Sequence, residues 1–318
     1  MYNLSIIIPH FNSSVLLKKL LRSIPVHKDI EVLVIDDKST KEELRGVELL
    51  QKKGSINFKL LINDSLKGAG SCRNIGIRHA KGKWLLFADS DDYFTKHFYP
   101  VVSPYFASPN DVVFFRPSSV LLGTEEPSDR HIRFCMRLDA YVKNKCLENE
   151  LALRYRLDPP WSKLISKKFI VENSIAFEEV VASNDLLFSA KVGYSMNVFE
   201  ISKETIYIVT KNFDSLTVNI NEIIYDIRFK EKVKYYDYLK SRLTTKELVL
   251  LNLSFLDFLY KSSRYGLKKF LKTLKYIFDN KLPTLDRRVL RIGTLVPLLS
   301  RTITHIIRDK KYHHTKKF

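Results

Sequence analysis

A doubly wound α/β sheet is the fold class that the sequence predicts for this chain of 318 residues. Five apolar runs fill the first 115 positions, and each gives way to polar residues. Segments of helical spacing lie between them, and strands alternating with helices build a parallel sheet covered on both faces. The most distinctive polar clusters fall directly behind these runs, where an open parallel sheet places its ligand.

The first strand is Leu4-Ser5-Ile6-Ile7-Ile8, an apolar run of the kind buried strands show. Leu16, Leu17, Leu20, Leu21 and Ile24 then repeat at the three- and four-residue spacing of a helix. Glu31–Ile35 reads as the second strand, and Leu44, Val47, Leu49 and Leu50 mark the helix after it. Phe58–Ile62 is the third strand. A third helix is expected from near Ser71 to His79, then a fourth strand over Trp84–Ala88 and a fifth over Val112–Phe115. Gly123-Thr124-Glu125-Glu126-Pro127-Ser128-Asp129 is a loop by composition. It divides residues 1–122, the first half of the sheet domain, from residues 123–220, the second half. Residues 221–318 are expected to form a helical, basic C-terminal region. There, Thr244 and Glu247 have capping-box spacing ahead of the apolar stretch Leu248–Tyr260. Leu267, Phe270, Leu271, Leu274 and Ile277 form one apolar helical face, with Lys268, Lys269, Lys272 and Lys275 largely on the other side.

An apolar content of 45% with 12% aromatics supplies a core and excludes wholesale disorder. No window approaches the roughly 18–20 uninterrupted apolar residues of a membrane span. The N-terminus enters its first strand without a basic segment followed by an apolar one, so a cytoplasmic protein is expected. Cys72, Cys135 and Cys146 are scattered and lack metal-ligand spacing, which agrees with a reducing compartment. The formal net charge of +18 is concentrated at the end of the chain, where Lys268–Phe318 carries 14 Lys and Arg against three Asp. Such a surface suits phospholipid headgroups, an acidic polymer or nucleic acid.

Three polar clusters follow the first, second and fourth runs: Pro9-His10-Phe11-Asn12, Asp36-Asp37 and Asp89-Ser90-Asp91-Asp92. Crowded carboxylates repel one another, and a hard divalent ion carrying phosphates relieves the repulsion. Asp also makes its own backbone bonds in turns, so this cluster alone reads either as a solvated acidic turn or as a metal–nucleotide site. The coincidence of three clusters along one edge favours the site. Gly68-Ala69-Gly70-Ser71-Cys72-Arg73-Asn74-Ile75-Gly76 fits neither a P-loop nor a dinucleotide fingerprint. It reads as the opening of a helix packed closely on the sheet, with Arg73 and Asn74 toward the same edge as the carboxylates, or as a loop with a surface Arg. The eight histidines show no zinc-ligand pairing, and His313-His314 reads as a solvated tail.

Taken in order, Ser5–Asn12, Val34-Ile35-Asp36-Asp37-Lys38-Ser39-Thr40, Gly70–Gly76 and Phe87–Asp92 resemble the motifs of family 2 glycosyltransferases. Trp161-Ser162-Lys163-Leu164 resembles that family's Trp-Asn-Lys-Leu segment. Asn184-Asp185 followed by Leu186-Leu187-Phe188 resembles its Glu-Asp pair, and Tyr207 with Ser215-Leu216-Thr217 its tyrosine strand and serine. The resemblance implies a GT-A fold, Rossmann-like with a mainly parallel sheet and flanking helices, here followed by a helical basic extension. It makes residues 1–122 the nucleotide-sugar-binding half and 123–220 the acceptor-binding, catalytic half. It also implies transfer of a sugar from a nucleotide donor with inversion. Pro9, Phe11, Asn12 and Asp37 would hold the base and ribose, with Arg73 near the same base. Asp89 would contact ribose or metal, Ser90 the donor, and Asp91 would coordinate Mn2+ or Mg2+ on the diphosphate. Lys211 and Ser215 fall where the family contacts the diphosphate, and Trp161 and Lys163 would meet the acceptor, although Trp in a Pro-Pro-Trp turn also reads as a packing anchor. Asp185 is the implied base, although Ser183-Asn184-Asp185 is also an ordinary helix start. Asn184 stands where the family carries Glu, and a neighbour that cannot ionise exerts no repulsion to raise the Asp185 pKa.

The reading that follows is a metal-dependent inverting hexosyltransferase using a UDP-sugar and a glycan or lipid-linked acceptor. It would build a bacterial-type surface polysaccharide at the inner face of the cell membrane, with the basic C-terminal region on anionic lipid. Paired Asp at strand ends also serve nucleotidyl or phosphoryl transfer, but no P-loop is present. A pI of 9.6 raises nucleic-acid binding, yet the charge sits in the tail without a recognisable module, so no nucleic acid is expected.

Overall fold

β1 (Leu4–His10) is buried at every residue, as its largely apolar run requires, and it holds the centre of the parallel part of the sheet. The computed structural model describes residues 2–53, 57–212 and 221–284. β2 (Ile30–Asp36) and β4 (Trp84–Phe87) flank β1 in parallel, and β3 (Lys59–Ile62) adds in parallel to β2. The three helices expected between these strands are present as α1 (Ser14–Ser23), α2 (Lys41–Lys53) and α3 (Ala69–His79). α3 lies directly on the sheet because Gly76 has no side chain: a Cβ there would sit 2.3 Å from Cγ2 of Ile7.

The second half of the sheet departs from a purely parallel plan. In chain order it contains β5 (Tyr93–Phe94), α4 (Phe98–Val102), β6 (Val112–Leu121), α5 (Ile132–Lys143), α6 (Leu147–Arg156), β7 (Lys163–Ser166), α7 (Lys167–Glu172), α8 (Asn184–Ser195), β8 (Phe199–Lys211) and α9 (Glu222–Lys240). The described residues form an eight-stranded sheet in the order β3-β2-β1-β4-β7-β6-β8-β5. β7 runs antiparallel to both β4 and β6, while β8 is parallel to β6 and antiparallel to β5. The result is the mixed α/β sheet with flanking helices of a GT-A protein. β6 extends six residues past the apolar run that announces it. Beyond Phe115 its buried residues alternate with half-buried ones, a pattern of one covered face.

One aromatic cluster fixes α8 against β4. Phe177 and Phe188 stack with ring centroids 3.7 Å apart, and Phe87 meets both edge-on at 5.2 and 5.8 Å. α8 therefore begins beside the end of β4.

The chain divides into two compact units at Arg242/Leu243, and α9 belongs to the first. The second contains α10 (Thr245–Leu251), α11 (Leu256–Ser262) and α12 (Leu267–Asp279). The capping box forms as its spacing predicts: the Thr244 side chain accepts from the Glu247 N–H, and Glu247 accepts from the Thr244 N–H at 2.7 Å. The apolar face of α12 is only partly covered. Thr273 and Ile277 are buried, whereas Leu267, Leu271 and Leu274 are exposed. No helix among the described residues is long and apolar enough to cross a membrane.

Candidate active site

The ends of β1, β2 and β4 bring the three polar clusters to one edge. After β1, Asn12 takes φ +46°, which turns the chain so that its backbone N–H donates to Ser39 Oγ (3.0 Å) and its side chain accepts from the Thr40 N–H (2.9 Å). Pro9 is buried beneath, and the Phe11 ring is 44% exposed with the Lys67 ammonium 3.6 Å over its centroid. His10 and Asp36 form a buried pair at 3.0 Å that joins β1 to β2. Asp37, also buried, accepts from Asn63 Nδ2 (2.7 Å) and the Gly68 N–H (3.0 Å), so it fastens the loop ahead of α3.

Arg73 is the strut of the site. It is buried, and its two terminal nitrogens donate to Asp89 Oδ1 (2.7 Å) and Asn184 Oδ1 (2.8 Å), tying the end of β4 to the start of α8. This places it on the carboxylate side and decides against the surface-Arg alternative. Asn74 is buried next to it and exchanges bonds with Phe177: Nδ2 donates to the carbonyl (3.0 Å) and Oδ1 accepts from the N–H (2.9 Å). α3 thus holds the segment that leads into α8.

The acidic turn relieves its repulsion residue by residue. Asp89 faces Arg73. Asp92 is buried and accepts from the Thr210 N–H (2.7 Å), while Thr210 Oγ1 donates to the Asp91 carbonyl (2.8 Å). Tyr207 OH accepts from the Asp89 N–H (2.8 Å). β8 therefore clamps the turn at two points. Burial, with the charges of Asp91 and Asp89, pushes the Asp92 carboxyl well above the ordinary range and favours its neutral form. Asp91 is half-buried and has no ion pair among the described residues. Burial first, and the Asp89 charge second, push it up to about 6. Ser90 shares a hydrogen bond of 2.9 Å with Ser13 at the mouth of α1.

Asp185 occupies the first turn of α8, half-buried, and burial raises its carboxyl to about 6. The charge that reinforces this shift is Asp158, while Arg73 opposes it. The source missing at position 184 is thus supplied from another part of the chain. Lys163 lies near both carboxylates but is buried, with Nζ donating to the Leu157 carbonyl, and burial lowers its ammonium to about 8. Trp161 is 4% exposed, its ring packed between Phe134 (5.1 Å) and Tyr207 (6.0 Å). Both residues are packed inside this conformation, as the packing-anchor reading of Trp161 expects. Lys211, at the end of β8, pairs with Asp129 at 2.7 Å. Ser215 lies outside the described residues. Sequence reasoning missed Thr210 and Asp158, since nothing near either in the chain marks a partner.

Fold and site together define a GT-A protein with an acidic sheet edge. Residues 5–155 match the model of Glycosyl transferase family 2. It is 28% identical over 218 residues to the poly(ribitol-phosphate) beta-N-acetylglucosaminyltransferase TarS of Staphylococcus aureus, covering 66% of this chain and 36% of TarS. The chain thus spans little more than a third of that relative's length. Over 95 residues it is 38% identical to the GalNAc(5)-diNAcBac-PP-undecaprenol beta-1,3-glucosyltransferase of Campylobacter jejuni, covering 29% of this chain and 30% of that protein. Among solved structures, S. aureus TarS in complex with UDP-GlcNAc superposes with a TM-score of 0.59 at 22% identity, covering 83% of this chain and 73% of that one. The mannosyltransferase PcManGT from Pyrobaculum calidifontis, in complex with GDP-Man and Mn2+, gives 0.54 at 15% identity, covering 96% and 83%. The family match favours glycosyl transfer over the phosphoryl- and nucleotidyl-transfer alternatives.

Proposed function

We propose that the chain moves a hexose-type sugar, with inversion, from a UDP-sugar to a glycan or lipid-linked acceptor of a bacterial-type surface polysaccharide. One observation carries this reading. Asp91 and Asp185, two carboxyls pushed up to about 6, belong to segments that Arg73 joins, one at the end of β4 and the other at the start of α8. A donor diphosphate held at the first leaves the second facing the acceptor.

On the donor side, the exposed Phe11 ring offers a stacking face for the base, with Pro9 and Asn12 shaping the turn beneath it. Asp37 supplies an acceptor for an imide N–H, and Asp89, Ser90 and Lys211 line the path from ribose to diphosphate. Arg73 serves by orienting Asp89. The residues present fit a divalent ion of the kind that arrives with its substrate. Among the described residues no group of three or more His, Cys, Asp or Glu is placed to hold a metal, so these residues build no closed cage. Asp91 and the Asp89 oxygen not given to Arg73 are hard donors suited to Mn2+ or Mg2+, with diphosphate oxygens and water completing the shell. Bound there, the ion would neutralise charge on the leaving nucleoside diphosphate. Asp185 takes the proton of the attacking acceptor hydroxyl, and a carboxyl near 6 is ionised yet basic at neutral pH. The TarS complex with UDP-GlcNAc and the PcManGT complex with Mn2+ support the donor class and the metal.

The test is nucleotide release from a panel of UDP-sugars, with GDP-mannose as the contrasting donor. Release is expected from a UDP-sugar in the presence of Mn2+ or Mg2+, and Asp91→Ala should abolish it. Turnover undiminished by a chelator rules out the metal; release from GDP-mannose alone rules out the uridine donor.

A further inference from the structure

We propose that α12 is an interfacial helix that rests on an anionic lipid surface through an exposed apolar stripe. The helix has two apolar sides. One is covered: Thr273 and Ile277 are buried and Phe270 is half-buried, on the side that packs with α11. The other is bare. Leu267, Leu271, Leu274 and Phe278 follow one another at spacings of four, three and four residues, which aligns them along one edge of a helix. They are 72, 52, 40 and 82% exposed. Single exposed apolar residues need no explanation, but a continuous stripe of large side chains marks an interaction surface.

The charges beside the stripe identify the occupant. Lys268, Lys272 and Lys275 border it, all exposed and none in an ion pair among the described residues. A second copy packed on this stripe by a two-fold axis would bring the two rows of lysines together, because such an interface meets its own surface. Anionic headgroups instead neutralise the lysines while the stripe enters the acyl boundary, the arrangement of a helix lying in the interface plane. At 13 residues α12 is too short to span a bilayer, so it lies on the surface. This inference does not depend on the sugar-transfer reading.

The experiment is co-sedimentation of the full chain with phosphatidylcholine vesicles, with and without about a third phosphatidylglycerol, at low and high salt. The wild type should sediment with the anionic vesicles and far less with the neutral ones. The double variant Leu271→Glu, Phe278→Glu should lose roughly tenfold or more in partitioning even at low salt. Lys268→Gln, Lys272→Gln, Lys275→Gln should lose a comparable factor on anionic vesicles only. All five positions are exposed, so circular dichroism should be unchanged. Phe278→Trp provides a second readout: its emission should shift to the blue on anionic vesicles. Sedimentation of the Leu271/Phe278 variant equal to wild type overturns the proposal and assigns lipid binding to charge elsewhere in the chain. A wild type that ignores vesicles but forms a dimer dissolved by the same variant overturns it in favour of a second copy.

Discussion

Asp89 gives an oxygen to Arg73, Asp92 is buried against Thr210, and Asp91 is left half-buried without an ion pair among the described residues. Three adjacent carboxyls are thus separated into a paired anion, a group favoured neutral and one poised to bind. Asp185 is poised by different means, since burial and the Asp158 charge raise it. A base must be ionised to accept a proton, so kcat/KM should fall as pH drops below about 6 and level off above it. Asp185→Asn should cost roughly 10²–10⁴ in kcat, the usual span for a general base. Its UDP affinity by calorimetry should stay close to wild type, because the proposed base acts on the acceptor and not on the nucleotide. A variant that turns over normally removes the role.

At the scale of elements, β8 matters to the site more than its place near the sheet edge indicates. Thr210 bonds both the Asp91 carbonyl and the Asp92 carboxyl. Thr210→Val keeps the shape and removes the hydroxyl, and should cost about 1–2 kcal/mol in denaturant unfolding. It should also raise KM for the donor more than it lowers kcat, since the turn loosens while Asp185 is untouched. The same bonds explain what was legible beforehand. β1, β2 and β4 announce themselves because strands covered on both faces must be apolar without interruption. β5 has only two residues, and β7 sets just Leu164 and Ile165 between polar residues, too little to carry a pattern. The Asp89–Asp92 turn was visible as chemistry, but its clamp was not, because a threonine within a strand carries no local sign of a distant partner. For α12 the helical period was plain. Which of its apolar residues are covered depends on α11, and that lies beyond any period count.

Across the molecule, charge and acidity act on different parts. Without ligand, raised carboxyls make the folded state hold protons that the unfolded chain has released. For Asp91, raised from 3.8 to about 6, that contribution to stability is complete below pH 3.8 and lost as pH climbs through about 6. Asp91→Asn removes the ionisation, so its stability advantage over wild type should grow across that window. The gain is on the order of 1–2 kcal/mol once water around the half-buried group is allowed for. Thermal unfolding of both proteins at pH 4, 5, 6 and 7 measures it, and a difference independent of pH contradicts the assignment. The clamp on the acidic turn also has a consequence in time. The bond from the Thr210 N–H to Asp92 joins residues 118 apart in sequence, and the one from Arg73 to Asn184 spans 111. Closing such long loops has an entropic cost that later contacts must repay. During synthesis Asp89 follows its partner Arg73 out, but Asp92 emerges hydrated and without Thr210. The carboxyls at the end of β4 become a site only when β8, more than a hundred residues downstream, docks against the turn.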